Sequence, residues 1–291
     1  MQAERVTDPL AYHGEGPVWA ESWGGLKWVD MFAGDLLSLD PDTGTVHRDH
    51  LTDTLTSIRP APDGGIVAAV DRGFAVFQER AGRFVTRSVT RLWADPSIRM
   101  NDGACDPQGR FYAGSYDTTG LGRGVLHRLD PDGTHHVVLR GIDVSNGLDW
   151  SEDGLRAFYV DSPTQRIDIL DFDPIEGRFG GRRPFAHVHV RDGVPDGLAV
   201  DAKGGVWVAL YGGGCVRRYH PGGTWDRDVR LPVARVTACT FGGPRLDWLY
   251  VTTSRENASA PEPSAGALFR IPVDVPGVPV RAFGMRHGGS P

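Results

Sequence analysis

One pattern recurs six times along the chain: a turn rich in Asp, Pro and Gly, then a short run of aromatic and β-branched residues, then a second such run. The paired runs are Leu26–Asp30 with Asp35–Asp40, Gly65–Val70 with Gly73–Phe77, Gly109–Gly114 with Gly124–Leu129, Leu155–Val160 with Arg166–Leu170, Gly205–Tyr211 with Gly214–Tyr219, and Asp247–Val251 with Ala267–Ile271. Successive copies start about 40 to 50 residues apart, and a unit of that size buries a core only by stacking on its neighbours. The alternation is mostly of period two, and long helical patterns with N-caps are missing. A two-sheet sandwich has similar strand content but not six regular copies. The pattern therefore predicts an all-β chain, a six-bladed β-propeller formed as a single domain over residues 1–291. Closing the ring removes exposed sheet edges, and Val278–Phe283 is expected to pair with an N-terminal strand for that purpose.

Four stretches in different repeats share a second design, an oxygen-bearing side chain beside glycine just ahead of an apolar strand. They are His13-Gly14-Glu15-Gly16-Pro17-Val18-Trp19, Arg99-Met100-Asn101-Asp102-Gly103, Val144-Ser145-Asn146-Gly147-Leu148 and Val194-Pro195-Asp196-Gly197-Leu198. Pro195 fixes one backbone angle beside Asp196, and Gly197 permits close packing on its other side. In a propeller the inner strands surround a central channel, so Glu15, Asn146 and Asp196 can meet there despite their separation in sequence. Two carboxylates and an amide oxygen make a hard, all-oxygen set suited to Ca²⁺, Mg²⁺ or Mn²⁺. Zn²⁺ is less natural without Cys or His. Each such pair is also an ordinary turn device. Spacing alone leaves both readings open, and recurrence at one place in four repeats favours a site. The fold expectation thereby becomes a propeller with a central metal site.

Composition removes several classes of function. A formal charge of −6 gives no basic footprint for nucleic acid. No apolar run reaches the roughly 20 residues needed to span a bilayer. The first ten residues lack the basic-then-apolar order of a signal peptide, so a cytoplasmic location is expected. Cys105, Cys215 and Cys239 are odd in number and far apart, neither a disulfide framework nor a zinc-spaced set.

The motifs in combination resemble the SMP-30/gluconolactonase/luciferin-regenerating-enzyme family, which includes regucalcin. They are Glu15-x-Pro17-x-Trp19, Arg99-x-Asn101-Asp102-Gly103, Ser145-Asn146-Gly147 and Pro195-Asp196-Gly197, in that order, and the likeness runs on to Leu249–Thr253. The resemblance implies a six-bladed propeller with one divalent ion in the channel, bound by Glu15, Asn146 and Asp196. It implies that Arg99 and Asn101 contact substrate and that Asp196 doubles as the base that activates water. One segment departs from the pattern: where some members carry a Glu-rich stretch that reaches the substrate, this chain has Gly114–Gly120, with Thr119 at the corresponding position.

The expected function is a divalent-metal-dependent hydrolase of a sugar lactone. Ca²⁺ stands first, with Zn²⁺, Mn²⁺, Mg²⁺ or Fe²⁺ as the other candidates. A promiscuous esterase or phosphotriesterase on the same site is the alternative within enzymes, and a non-catalytic calcium-binding propeller is the alternative outside them. The expected partner is a small-molecule lactone, with no nucleic acid and no membrane, in a monomer or weak homo-oligomer.

Overall fold

A computed structural model of the chain describes residues 1–257 and 262–284. Six four-stranded antiparallel sheets succeed one another as the blades of a propeller. Their innermost strands are Gly14–Ala20, Leu55–Pro60, Ile98–Cys105, Ser145–Trp150, Val194–Val200 and Val236–Gly242, which define blades 1 to 6. Each inner strand packs against the next, and Val236–Gly242 returns to Gly14–Ala20, so the ring is closed around a channel. Among the described residues helix is confined to three-residue 3-10 turns. None is long and apolar enough to cross a membrane.

The paired runs of the sequence are the two middle strands of each blade. They are apolar because neighbouring blades cover both of their faces. Trp28, Trp150 and Trp207 are wholly or almost wholly buried among them. Between blades 3 and 4, Tyr112, Trp150, Phe172 and Phe179 pack as an aromatic cluster with ring centroids 5.2–6.2 Å apart. The outermost strands, such as Val46–His50 and Arg83–Arg91, are polar and largely exposed.

Ring closure differs from the sequence expectation. Glu4–Arg5 pairs with Phe269–Pro272, Glu4 opposite Arg270 and Arg5 opposite Phe269, as the outer strand of blade 6. Val278–Phe283 joins no sheet. Pro276 and Pro279 have no N–H to give a ladder, which disfavours a strand there. The segment instead runs as a strap across the end of the channel where the inner strands finish. Gly277 N donates to Leu246 O at 2.9 Å, Phe283 N to Pro60 O at 2.7 Å and Gly284 N to Gly109 O at 2.8 Å. Arg281 donates to Asp149 Oδ1 at 3.2 Å and to the Ser151 carbonyl at 3.0 Å. The strap thus ties the turns of several blades together.

Those turns carry their own buried electrostatics. Asp201 accepts from the Lys203 and Gly205 amides, from Trp207 Nε1 and from Arg218 Nε and Nη2, at 2.7–3.2 Å. Asp106 holds the equivalent turn of blade 3, accepting from the Gln108 and Arg110 amides, Arg110 Nε and the Tyr112 hydroxyl. Removing one partner of a buried pair strands the other. Asp201→Ala is therefore expected to cost about 3–5 kcal/mol of stability in urea unfolding. A loss below about 1 kcal/mol would show that Asp226, which also pairs with Arg218, compensates.

Candidate functional site

The opposite end of the channel, where the inner strands begin, holds the predicted site. All six inner strands shift register against their neighbour at the same height. The shifts lie between Glu15 and Val18, Leu55 and Ser57, Met100 and Gly103, Ser145 and Leu148, Pro195 and Leu198, and Val236 and Cys239. A bulge bends its strand and re-aims a side chain. Here five bulges contain Thr56, Asn101 with Asp102, Asn146, Asp196 and Thr237, and Glu15 directly precedes the sixth, opposite Val29. The glycines after Asn146 and Asp196 let the blades approach. A Cβ on Gly147 would sit 2.7 Å from the Asp196 carbonyl oxygen, and one on Gly197 would sit 2.5 Å from the Ala238 Cβ.

Hydrogen bonds carry the ring from blade to blade. Thr237 Oγ1 donates to Gly14 O at 2.6 Å, and Thr56 Oγ1 to Asn101 O at 2.7 Å. Asn101 Nδ2 donates to Ser145 O at 2.7 Å and to Asn146 Oδ1 at 2.9 Å. Asn146 Nδ2 donates to Ser162 Oγ at 2.8 Å, and that hydroxyl donates to Pro195 O at 2.7 Å. Both amides are held from two sides, which fixes the orientation of the Asn146 oxygen. Arg99 Nη1 donates to Asn101 Oδ1 at 3.2 Å. Its guanidinium lies between the Phe32 and Tyr116 rings, 5.3 and 5.0 Å from their centroids.

Glu15 and Asp196 are 6% and 7% exposed. Burial, with Asp102 adding to it, pushes the Glu15 carboxyl up to about 8. Burial and the nearby Glu15 raise Asp196 well above the ordinary carboxylate range. Asp102 is raised as well, chiefly by burial. Among the described residues no Arg or Lys forms an ion pair with these three acids. Their one ion-pair contact among the described residues is from His13 Nε2, 3.9 Å from Glu15 Oε1. No group of three or more His, Cys, Asp and Glu side chains stands together among the described residues as a ready metal cage. The candidate set has two carboxylates and a carboxamide oxygen. Its donor chemistry fits a hard divalent ion, because desolvated acids that repel each other are relieved by a cation between them.

Sequence reasoning named Glu15, Asn146 and Asp196 as ligands and Arg99 and Asn101 as substrate contacts; the structure sets Asn101 beside Asn146 and bonds Arg99 to Asn101. That reasoning passed over Thr56 and Thr237, which hold the same place in blades 2 and 6 but do not precede glycine. It also missed a cluster at the mouth, where His13 Nδ1 lies 3.0 Å from Glu256 Oε2 and 2.9 Å from Ser254 Oγ. Thr119 is exposed. Its hydroxyl donates to Asp117 Oδ1 at 2.6 Å, in a knot closed by Arg123. The three cysteines are buried and unpaired.

A six-bladed propeller whose inner-strand bulges gather acids and amides at one channel mouth defines a class, and comparison with known proteins agrees with it. Residues 13–255 match the family model described as SMP-30/Gluconolactonase/LRE-like region, and the chain belongs to that family. The chain is 35% identical to pentonolactonase XacC of Haloferax volcanii, over 99% of this chain and 100% of that protein. It is 35% identical to regucalcin of Xenopus laevis, over 97% and 98% of the two. A solved luciferin-regenerating enzyme superposes with a TM-score of 0.88 at 25% identity, covering 97% of this chain and 99% of its own.

Proposed function

We propose that the chain is a divalent-metal-dependent hydrolase of sugar lactones. Glu15, Asn146 and Asp196 hold the ion, Arg99 and Asn101 hold the substrate, and Asp196 also serves as the base. The observation that carries this reading is the pair of desolvated carboxylates, Glu15 and Asp196, set beside a fixed amide oxygen in a channel mouth that also presents a stacked guanidinium. The similarity to a protein named pentonolactonase supports a lactone as substrate. The hard donors put Ca²⁺ first, with Mg²⁺, Mn²⁺, Zn²⁺ and Fe²⁺ as the other candidates.

When bound, the ion supplies positive charge that polarises a carbonyl and acidifies water. The chain's residues do the rest. Asp196 accepts the proton of the water that adds to the lactone carbonyl carbon. The ring C–O bond then breaks, and the departing alkoxide takes that proton from Asp196, giving the open-chain hydroxy acid and restoring the carboxylate. The bonds from Asn101 Nδ2 and to Ser162 keep the Asn146 oxygen from rotating away. Arg99, immobilised between two rings, meets the substrate without reordering, which favours binding.

The reading is tested on metal-stripped protein with Ca²⁺, Mg²⁺, Mn²⁺, Zn²⁺ or Fe²⁺ restored singly, using a panel of lactones and esters with a pH-indicator readout. Lactone hydrolysis that depends on the added ion is expected. Arg99→Ala should raise KM more than it lowers kcat and leave ion affinity nearly intact, because Arg99 is assigned to substrate. Faster turnover of simple esters or phosphotriesters than of lactones would move the assignment to those substrates. No turnover with any ion, together with tight Ca²⁺ binding, would make the protein a calcium-binding propeller.

A further inference from the structure

The mouth above the acid ring carries two charged groups of opposite sign. On blade 3, Arg99 is held between Phe32 and Tyr116, and its guanidinium reaches Met31 of blade 1. Glu256, just after the blade 6 strand Trp248–Thr253, lies near enough for its charge to act on Arg99. The Glu256 side chain keeps 26% of its surface exposed, whereas the His13 side chain beneath it keeps 11%. Glu256 Oε2 contacts His13 Nδ1 at 3.0 Å, and the Glu256 amide donates to Ser254 Oγ at 2.9 Å. A carboxylate only accepts, so the contact places a proton on Nδ1. Oε1 accepts no hydrogen bond among the described residues and is left for another donor. The bond from His13, with Arg99 and Arg235 nearby, holds the Glu256 carboxyl below its usual range and therefore ionised at neutral pH.

We propose that Glu256, positioned by His13 and Ser254, is a substrate-binding carboxylate that accepts hydrogen bonds from hydroxyl groups of the lactone while Arg99 donates to others. A hydroxyl is both donor and acceptor, so a mouth that offers an acceptor and donors together selects a polyhydroxylated ring over a bare one. The blade 3 loop offers no substitute, since the Thr119 hydroxyl is spent on Asp117. His13 is a positioning residue: its ring also packs against Phe32 at 5.1 Å, the same ring that supports Arg99. One aromatic side chain thus braces Arg99 and the histidine that positions Glu256.

The inference rests on the lactone reading, and the experiment separates the two. Wild type, Glu256→Gln, His13→Ala and the double variant are compared on an aldonolactone and on unsubstituted γ-butyrolactone. Glu256→Gln should lower kcat/KM for the aldonolactone about 10- to 100-fold, mainly through KM, as expected for a hydrogen bond to a charged group. The loss on γ-butyrolactone should be much smaller, so the preference between the two collapses. His13→Ala should reduce the preference in the same direction, and the double variant should lose no more of it than Glu256→Gln alone. Titration calorimetry with an open-chain pentitol should show weaker binding to Glu256→Gln than to wild type. Equal losses on both lactones, or an unchanged preference, would overturn the role of Glu256. If wild type hydrolyses no lactone, the lactonase reading falls, and pentitol binding unaffected by Glu256→Gln would then overturn this inference by itself.

Discussion

Asp196→Asn is expected to lower kcat for lactone hydrolysis by about 10²- to 10⁴-fold with metal at saturation, the usual range for loss of a general base. Asn keeps an oxygen of nearly the same shape at the same bulge, so the fold and a weakened ion site should persist. The side chain has few ties to lose: the hydrogen bond from the Gly197 amide only partly offsets the rise that burial, Glu15 and Asp102 impose. Thermal melts and ion titration of the variant check that assumption, and initial rates at saturating metal give the effect. A variant as fast as wild type under those conditions would remove Asp196 from the proton transfer.

The metal-free protein should grow less stable as pH rises from about 5 to about 8, and a divalent ion should reverse the trend. The sign follows from the two acids. Glu15 has an ordinary value near 4.5 and about 8 in the fold, and Asp196 is raised in the same direction. Between those values the folded chain holds more protons than the unfolded one. This contribution is therefore complete below the ordinary carboxylate range and lost as pH climbs through the folded value. An ion that binds only the folded state, at a hundredfold excess over its Kd, adds about 2.7 kcal/mol, or about 5 °C in Tm for a chain of this size. Scanning calorimetry across pH 5 to 9, with and without Ca²⁺, measures both effects, and the gain from Ca²⁺ should be largest at the alkaline end. Glu15→Gln should flatten the metal-free profile and abolish most of the Ca²⁺ response. A flat wild-type profile with no response to any divalent ion would refute the shared site.

What could be read from the sequence followed burial. The middle strands of each blade, such as Val206–Tyr211, are covered on both faces and stand out as apolar runs. Outer strands such as Val46–His50 and Arg83–Arg91 lie largely in solvent and carry charge, so no hydrophobic period marks them. The closing strand, Glu4–Arg5, is two residues long, too short for any pattern, and the more strand-like Val278–Phe283 drew the expectation instead. On the ring, an oxygen-bearing residue before glycine marked blades 1, 3, 4 and 5. In blades 2 and 6 the bulge is followed by Ser57 and Ala238, which leave no such mark. The pair His13 and Glu256 joins the first residue of the family region to the residue just past its end, a proximity that only ring closure creates.

The repeated register shift has a consequence for how such a channel changes over time. Every inner strand breaks step, and in blades 2 to 6 the displayed residue falls within the break, while Glu15 of blade 1 stands just before it, opposite Val29. The side-chain bonds from blade to blade run through Thr56, Asn101, Asn146 and Thr237, so the identity of the two acids is decoupled from them. Two of the six places are occupied by threonines whose hydroxyls latch neighbouring strands, and four carry the acids and amides. A gene for such a scaffold can exchange the occupant of one place in a single step while the aromatic wedges between blades stay as they are. Chemistry and fold are then free to vary on separate schedules, with the ring of bulges as the exchangeable part.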